Sequence, residues 1–137
     1  MKLLKITIAV FLVTLILSNF GVNAAAYHYF VSTTIPAHSA WYTSDSVSKD
    51  RESNQYFYNM SAYDKVTGVK RAIKVYLVNE DTSSTSTTKE INTDTRVTYT
   101  DSGIRIEGNY HSQIKTSNPL SNAISLNGTW YLDDTAL

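Results

Sequence analysis

The feature of this chain that most constrains its fold is a two-residue alternation of apolar and polar side chains, clearest over residues 69–78. Val69, Ile73, Val75 and Leu77 fall on one side with Arg71, and Lys70, Ala72, Lys74 and Tyr76 fall on the other. Successive side chains of a β-strand point to opposite faces, so this pattern describes a strand with one face against a core. Slipping it by one position would turn the apolar set to water. Residues 55–63 are rich in tyrosine and also read as a strand. Between the two lies Asp64-Lys65-Val66-Thr67-Gly68, a turn-forming stretch whose Gly68 can take a positive φ. A β-hairpin is expected here.

A second hairpin is expected from Arg96-Val97-Thr98-Tyr99-Thr100, through the turn Asp101-Ser102-Gly103, into Ile104-Arg105-Ile106-Glu107. Residues 123–132 read as the last strand, with Ile124, Leu126, Trp130 and Leu132 on one face and Ser125, Asn127, Thr129 and Tyr131 on the other. Residues 27–34 read as the first, and weaker strands are expected near 40–43 and 110–115. About seven short strands with hairpin-length connections predict an all-β fold, a small antiparallel β-sandwich. Ile73, Val75, Leu77, Val97, Ile104, Ile106, Ile124, Leu126 and Trp130 should line its core. The run Asp81-Thr82-Ser83-Ser84-Thr85-Ser86-Thr87-Thr88 has no apolar residue. It is expected as an exposed loop crossing between the sheets, since neither half of the chain alone has enough apolar strand to form a core.

The sandwich is expected to follow a cleavable leader. Met1-Lys2-Leu3-Leu4-Lys5 is a short basic start, residues 6–17 are apolar apart from Thr7 and Thr14, and Val22-Asn23-Ala24-Ala25-Ala26 supplies small residues. This is the three-part plan of a secretory signal peptide. Cleavage is placed after Ala24, with Ala26 as the alternative, giving a signal peptide over 1–24 and a single secreted domain over 25–137. An uncleaved anchor is the competing reading, but the apolar run is short of the roughly 20 residues a bilayer needs. With Lys2 and Lys5 removed, 10 of the 12 basic residues remain against 12 acidic ones. That balance gives no electrostatic reason to bind nucleic acid or an anionic membrane. The chain has no cysteine. A small secreted eukaryotic domain would usually carry disulfides, so a bacterial exporter is favoured, and a lipoprotein anchor, which needs a cysteine, is excluded.

Candidate chemistry is sparse. His28, His38 and His111 have no second histidine at zinc-ligand spacing. Serines are many, but no Gly-x-Ser-x-Gly elbow exists. Glu80-Asp81 and Asp133-Asp134 each follow a strand. They read as charges that end strands and keep edges soluble, with calcium binding as the alternative. No catalytic residue, metal ligand or cofactor is assigned. The aromatic content is more informative. Ten Tyr accompany Trp41, Trp130, Phe30 and Phe57, and Tyr56-Phe57-Tyr58 sets rings on both faces of one strand. One buried face cannot absorb them all, and exposed rings with polar tips suit sugars or another protein. The bland reading is the β-propensity of tyrosine. Trp130 is expected in the core, and Trp41 divides evenly between core and contact surface. The candidate ligand-binding residues are Trp41, Tyr42, Tyr56 and Tyr58.

The early strand ending in Ile35-Pro36, the tyrosine-rich segment and the terminal Gly128-Thr129-Trp130-Tyr131 followed by acids resemble small secreted Gram-positive proteins of unknown function. More distantly, the pattern is similar to secreted lactococcin-type bacteriocins, which implies an antibacterial protein. The leading expectation is a secreted, non-enzymatic binding domain for an unknown protein or a cell-wall or other carbohydrate ligand. A bacteriocin-like protein is the alternative, and a small secreted hydrolase comes third.

Overall fold

The computed structural model describes residues 28–133. The expected signal peptide (residues 1–24), Tyr27 and Asp134 lie outside the described residues. Nine strands occur among the described residues: β1 (His28–Ile35), β2 (Tyr42–Thr43), β3 (Val47–Lys49), β4 (Gln55–Asp64), β5 (Ile73–Asn79), β6 (Lys89–Ile91), β7 (Thr95–Tyr99), β8 (Gly108–Thr116) and β9 (Ile124–Tyr131). A single helical turn at Ser102–Arg105 separates β7 from β8. The strands form a small β-sandwich of two antiparallel sheets. One has the order β1-β9-β4-β7; the other has the order β2-β8-β5-β6, with β3 also pairing with β8.

The alternation read from the sequence places the core. In β5, Ile73, Val75, Leu77 and Asn79 are buried while Lys74, Tyr76 and Val78 are half-buried on the outer face. Ile124, Leu126, Trp130 and Leu132 are buried at the other sheet. Between them sit Phe57, Tyr99, Tyr110 and Ile114, all fully buried. Burying each large apolar side chain contributes roughly 1.5–3 kcal/mol. The buried phenols need hydrogen-bond partners. Tyr99, from the first sheet, donates to the Val75 carbonyl of the second at 2.8 Å. Tyr110 donates to the Ile106 carbonyl at 2.7 Å and accepts from Asn79 Nδ2 at 2.9 Å. Gly128 occupies an inward position of β9 where a Cβ would lie 2.9 Å from Phe57 Cε1 and 3.0 Å from the Tyr58 carbonyl oxygen. A larger residue could not sit there unless β4 or the Phe57 ring shifted.

Two expected hairpins are not formed as read. The turn after β4 does close: Gly68 has φ +69°, and Tyr63 bridges Lys70. Beyond that bridge the chain leaves the first sheet, so β4 and β5 belong to different sheets. The turn is fixed by Asp64, whose carboxylate accepts from the Val66 and Thr67 amides at 2.9 and 3.0 Å and from Asn122 Nδ2 at 3.2 Å. The second hairpin is absent. Asp101-Ser102-Gly103 opens the helical turn, and β7 pairs with β4 instead. Ile104 is buried by that turn, Val97 is only half-buried, and Ile106 is 37% exposed. The serine-rich run does not cross between sheets. It returns the chain from β5 to β6 within one sheet, with Thr85 bridging Val78 and Ser86 buried against Leu77. The crossing comes after β6, through Asp94 at φ +62°. Residues 110–115, read as a weak strand, belong to β8, the strand that pairs with β2, β3 and β5.

At one end the sheets are joined by a buried ion pair. Lys49, the last residue of β3, sets its ammonium 2.7 Å from Asp133 Oδ1, just past β9. Asp133, read from the sequence as a solvated strand-ending charge, is 4% exposed.

Candidate functional site

The outer face of the β1-β9-β4-β7 sheet carries a row of rings. Tyr56 and Tyr58 take the outward positions of β4 because Gln55, Phe57 and Asn59 take the inward ones. Register then decides which residues join them. Tyr56 is opposite Tyr131 of β9, and Tyr131 is opposite His28 of β1. The Tyr56 and Tyr131 rings stack at 4.2 Å between centroids with planes 16° apart. His28 lies 5.7 Å from Tyr131 and 5.0 Å, edge-on, from Phe30, which is 66% exposed. On the other side, Arg96 of β7 is opposite Tyr58, and its guanidinium carbon sits 5.4 Å over the Tyr56 ring.

Tyr56, Tyr58, Arg96 and Tyr131 line an open depression of about 270 Å³. The Tyr58 hydroxyl donates to Asp94 Oδ1 at 2.5 Å. That hydrogen bond to a carboxylate favours the protonated phenol and raises its pKa. Asp94 is thereby engaged by the tyrosine, and Arg96 stacks on a ring rather than pairing with that carboxylate. The floor of the site thus offers aromatic faces, phenol edges and one cation.

The four sequence-derived candidates divide between the sheets. Tyr56 and Tyr58 meet in this depression. Tyr42 is opposite Ile114 and packs its ring against the core. Trp41, 40% exposed, lies on the outer side of the second sheet. It meets Tyr76 edge-on at 4.9 Å, with Lys115 Nζ 4.4 Å over its indole. His28, Phe30, Arg96 and Tyr131 were not among those four candidates. The alternation does place them on outward positions, but only the strand order brings them beside Tyr56.

The histidines lie apart, on β1, in the loop after β1, and on β8. His111 Nδ1 is 2.8 Å from Glu80 Oε1, and Ser46 donates to Glu80 Oε2 at 2.7 Å. These bonds, the serine's first, hold the Glu80 carboxyl below its usual range. The carboxylate stands between the serine and the imidazole, so the imidazole cannot take the serine's proton directly. Of the other acidic residues read as candidate calcium ligands, Asp81 accepts from the Asn109 amide at 2.9 Å and Asp133 is spent on Lys49. No protein-family model, curated protein sequence or solved structure matches the chain.

Proposed function

We propose that this protein is a non-enzymatic binding domain that acts outside the cell and docks the sugar rings of a cell-wall or other surface glycan on the outer face of the four-stranded sheet. The observation that carries this reading is the continuous row Phe30, His28, Tyr131, Tyr56, flanked by Arg96 and Tyr58 over one depression. Pyranose rings present apolar C–H faces edged by hydroxyls. Tyrosines answer both features, with a flat apolar ring and a polar tip. The guanidinium adds fixed donors at the rim. A depression of about 270 Å³ is slightly below the usual range for small-molecule sites, which suits a single ring unit of a longer chain held along a strip.

The test is co-sedimentation with insoluble cell-wall polysaccharide, followed by titration calorimetry with soluble fragments. Tyr131→Ala and Tyr56→Ala should each weaken binding about tenfold, equivalent to about 1.4 kcal/mol. Trp41→Ala should leave it unchanged. Loss of binding in Trp41→Ala with retention in Tyr131→Ala would move the site to the other sheet. No binding of any glycan at millimolar concentration would remove the reading.

A further inference from the structure

We propose that Lys49 and Asp133 condense into an intramolecular amide, a cross-link that the folded chain makes between its own two sheets. The side chains of both residues are withdrawn from water, at 0% and 5% exposure, and they face each other at 2.7 Å across 84 residues of sequence. The glycan-binding reading makes no use of them.

An ion pair in this position carries the desolvation cost of both charges. Burial pushes the Lys49 ammonium down from its ordinary value, while Asp133 pulls it back up. Passing one proton from nitrogen to carboxylate yields an amine and a carboxylic acid, the pair that a low-dielectric site tolerates best. Those two neutral groups are also the reactants for an amide. Ser53 touches both of them. Its hydroxyl oxygen accepts from Lys49 Nζ at 2.5 Å, and the hydroxyl donates to Asp133 Oδ1 at 3.2 Å. It can therefore relay the proton. The Leu132 carbonyl, 2.5 Å from Nζ, holds another amine hydrogen and so orients the lone pair.

The step balances without any other reagent. The Nζ lone pair attacks Cγ of Asp133 and an N–C bond forms. Oδ1, which faces both Lys49 and Ser53, takes up the acid proton and one amine proton and leaves as water. Oδ2 remains as the amide carbonyl, with the Asp50 backbone N–H 3.5 Å away. Nothing is oxidised or reduced. Exclusion of water from the site disfavours the reverse step, hydrolysis of the amide. Fixed juxtaposition can raise the effective concentration of an intramolecular partner to roughly 10⁵–10⁸ M. In a chain without cysteine, the resulting bond would close a loop from β3 to the end of β9, as a long-range disulfide does elsewhere.

The test is mass spectrometry of the full chain, purified from an expressing culture and denatured, with its N-terminal peptide fixing the expected mass. The intact mass should be one water below that of the sequence. Trypsin should fail to cut after Lys49, and tandem spectra should show a branched peptide joining Lys49 to Asp133. Lys49→Arg should restore the full mass. A full-mass protein cleaved after Lys49 would overturn the proposal. So would a water loss that persists in Lys49→Arg, since that locates the dehydration elsewhere. If Lys49→Arg does not fold, the peptide map of the unaltered chain decides alone.

Discussion

The indole N–H of Trp130 donates to Gln55 Oε1 at 2.9 Å inside the sandwich. Gln55 in turn donates its amide to the Ile104 carbonyl at 2.6 Å, so β9, β4 and the helical turn share one buried polar chain. Replacing Gln55 by Leu keeps much of the volume but orphans both the indole N–H and the carbonyl. Each orphaned group costs about 1–3 kcal/mol. Urea melts should show a fall in that range or above. In the Gln55→Leu background, Trp130→Phe should cost less than it does alone, because the indole has already lost its partner.

Neighbouring residues of β5 should respond oppositely to the same charge. Ile73 is fully buried, so Ile73→Asp places an unpaired carboxylate in the core and should cost more than about 4 kcal/mol. Lys74 is half-buried on the outer face, opposite Lys115 on one side and Glu90 on the other. Lys74→Asp should change stability by about 0.5 kcal/mol or less. Circular dichroism and thermal melts of the two variants decide it. Equal loss in both would mean that the strand faces are wrongly assigned.

Asp64 links the turn after β4 to pH. The amide of Thr67, followed by those of Val66 and Asn122, holds its carboxyl down from 3.8 to about 2. A carboxylate with a depressed folded-state pKa stabilises the fold fully above the unfolded value. That contribution fades as pH falls from about 3.8 towards about 2. Asp64→Asn keeps an acceptor for the turn amides but carries no charge. Melting temperatures at pH 5, 3 and 2 should therefore drop less steeply for Asp64→Asn than for the parent chain. Identical slopes would show that Asp64 contributes nothing to acid sensitivity.

Gly128 should not tolerate a methyl group. Its missing Cβ would meet the Phe57 ring and the Tyr58 carbonyl at 2.9–3.0 Å. Gly128→Ala should cost about 1–3 kcal/mol through overpacking. Phe57→Leu should recover part of that loss in the double variant, a coupling that denaturant titration can measure.

Faces were legible where the strands formed as read, because they depend only on period; Val69 and Ile106, outside the strands, are exposed instead. Ile73, Val75, Leu77, Ile124, Leu126 and Trp130 all point inward as the alternation requires. Partnership was not legible, because it depends on which strands meet at long range. Asp101-Ser102-Gly103 has good turn chemistry, yet it starts a helical turn, and the Ile104 side chain fills the core from there instead of from a strand. The candidate site suffered in the same way. Tyr56 and Tyr58 could be named from their own strand. Tyr131 and Arg96, which complete the depression, come from 73 and 38 residues further along than Tyr58. Trp41 and Tyr42 adjoin in sequence, but Tyr42, in β2, packs against the core while Trp41, just before it, lies exposed against Tyr76.

The position of β9 also sets when this protein can become itself. β9 lies between β1 and β4, and β1 pairs with no other strand among the described residues. The earliest-synthesised of these strands therefore waits for the last before it has a hydrogen-bonded neighbour. A chain interrupted before Ile124 leaves the facing edges of β1 and β4 open and lacks the buried Ile124, Leu126, Trp130 and Leu132. Unpaired strand edges of that kind are templates for pairing with other chains, and β9 covers both of them in the folded sheet.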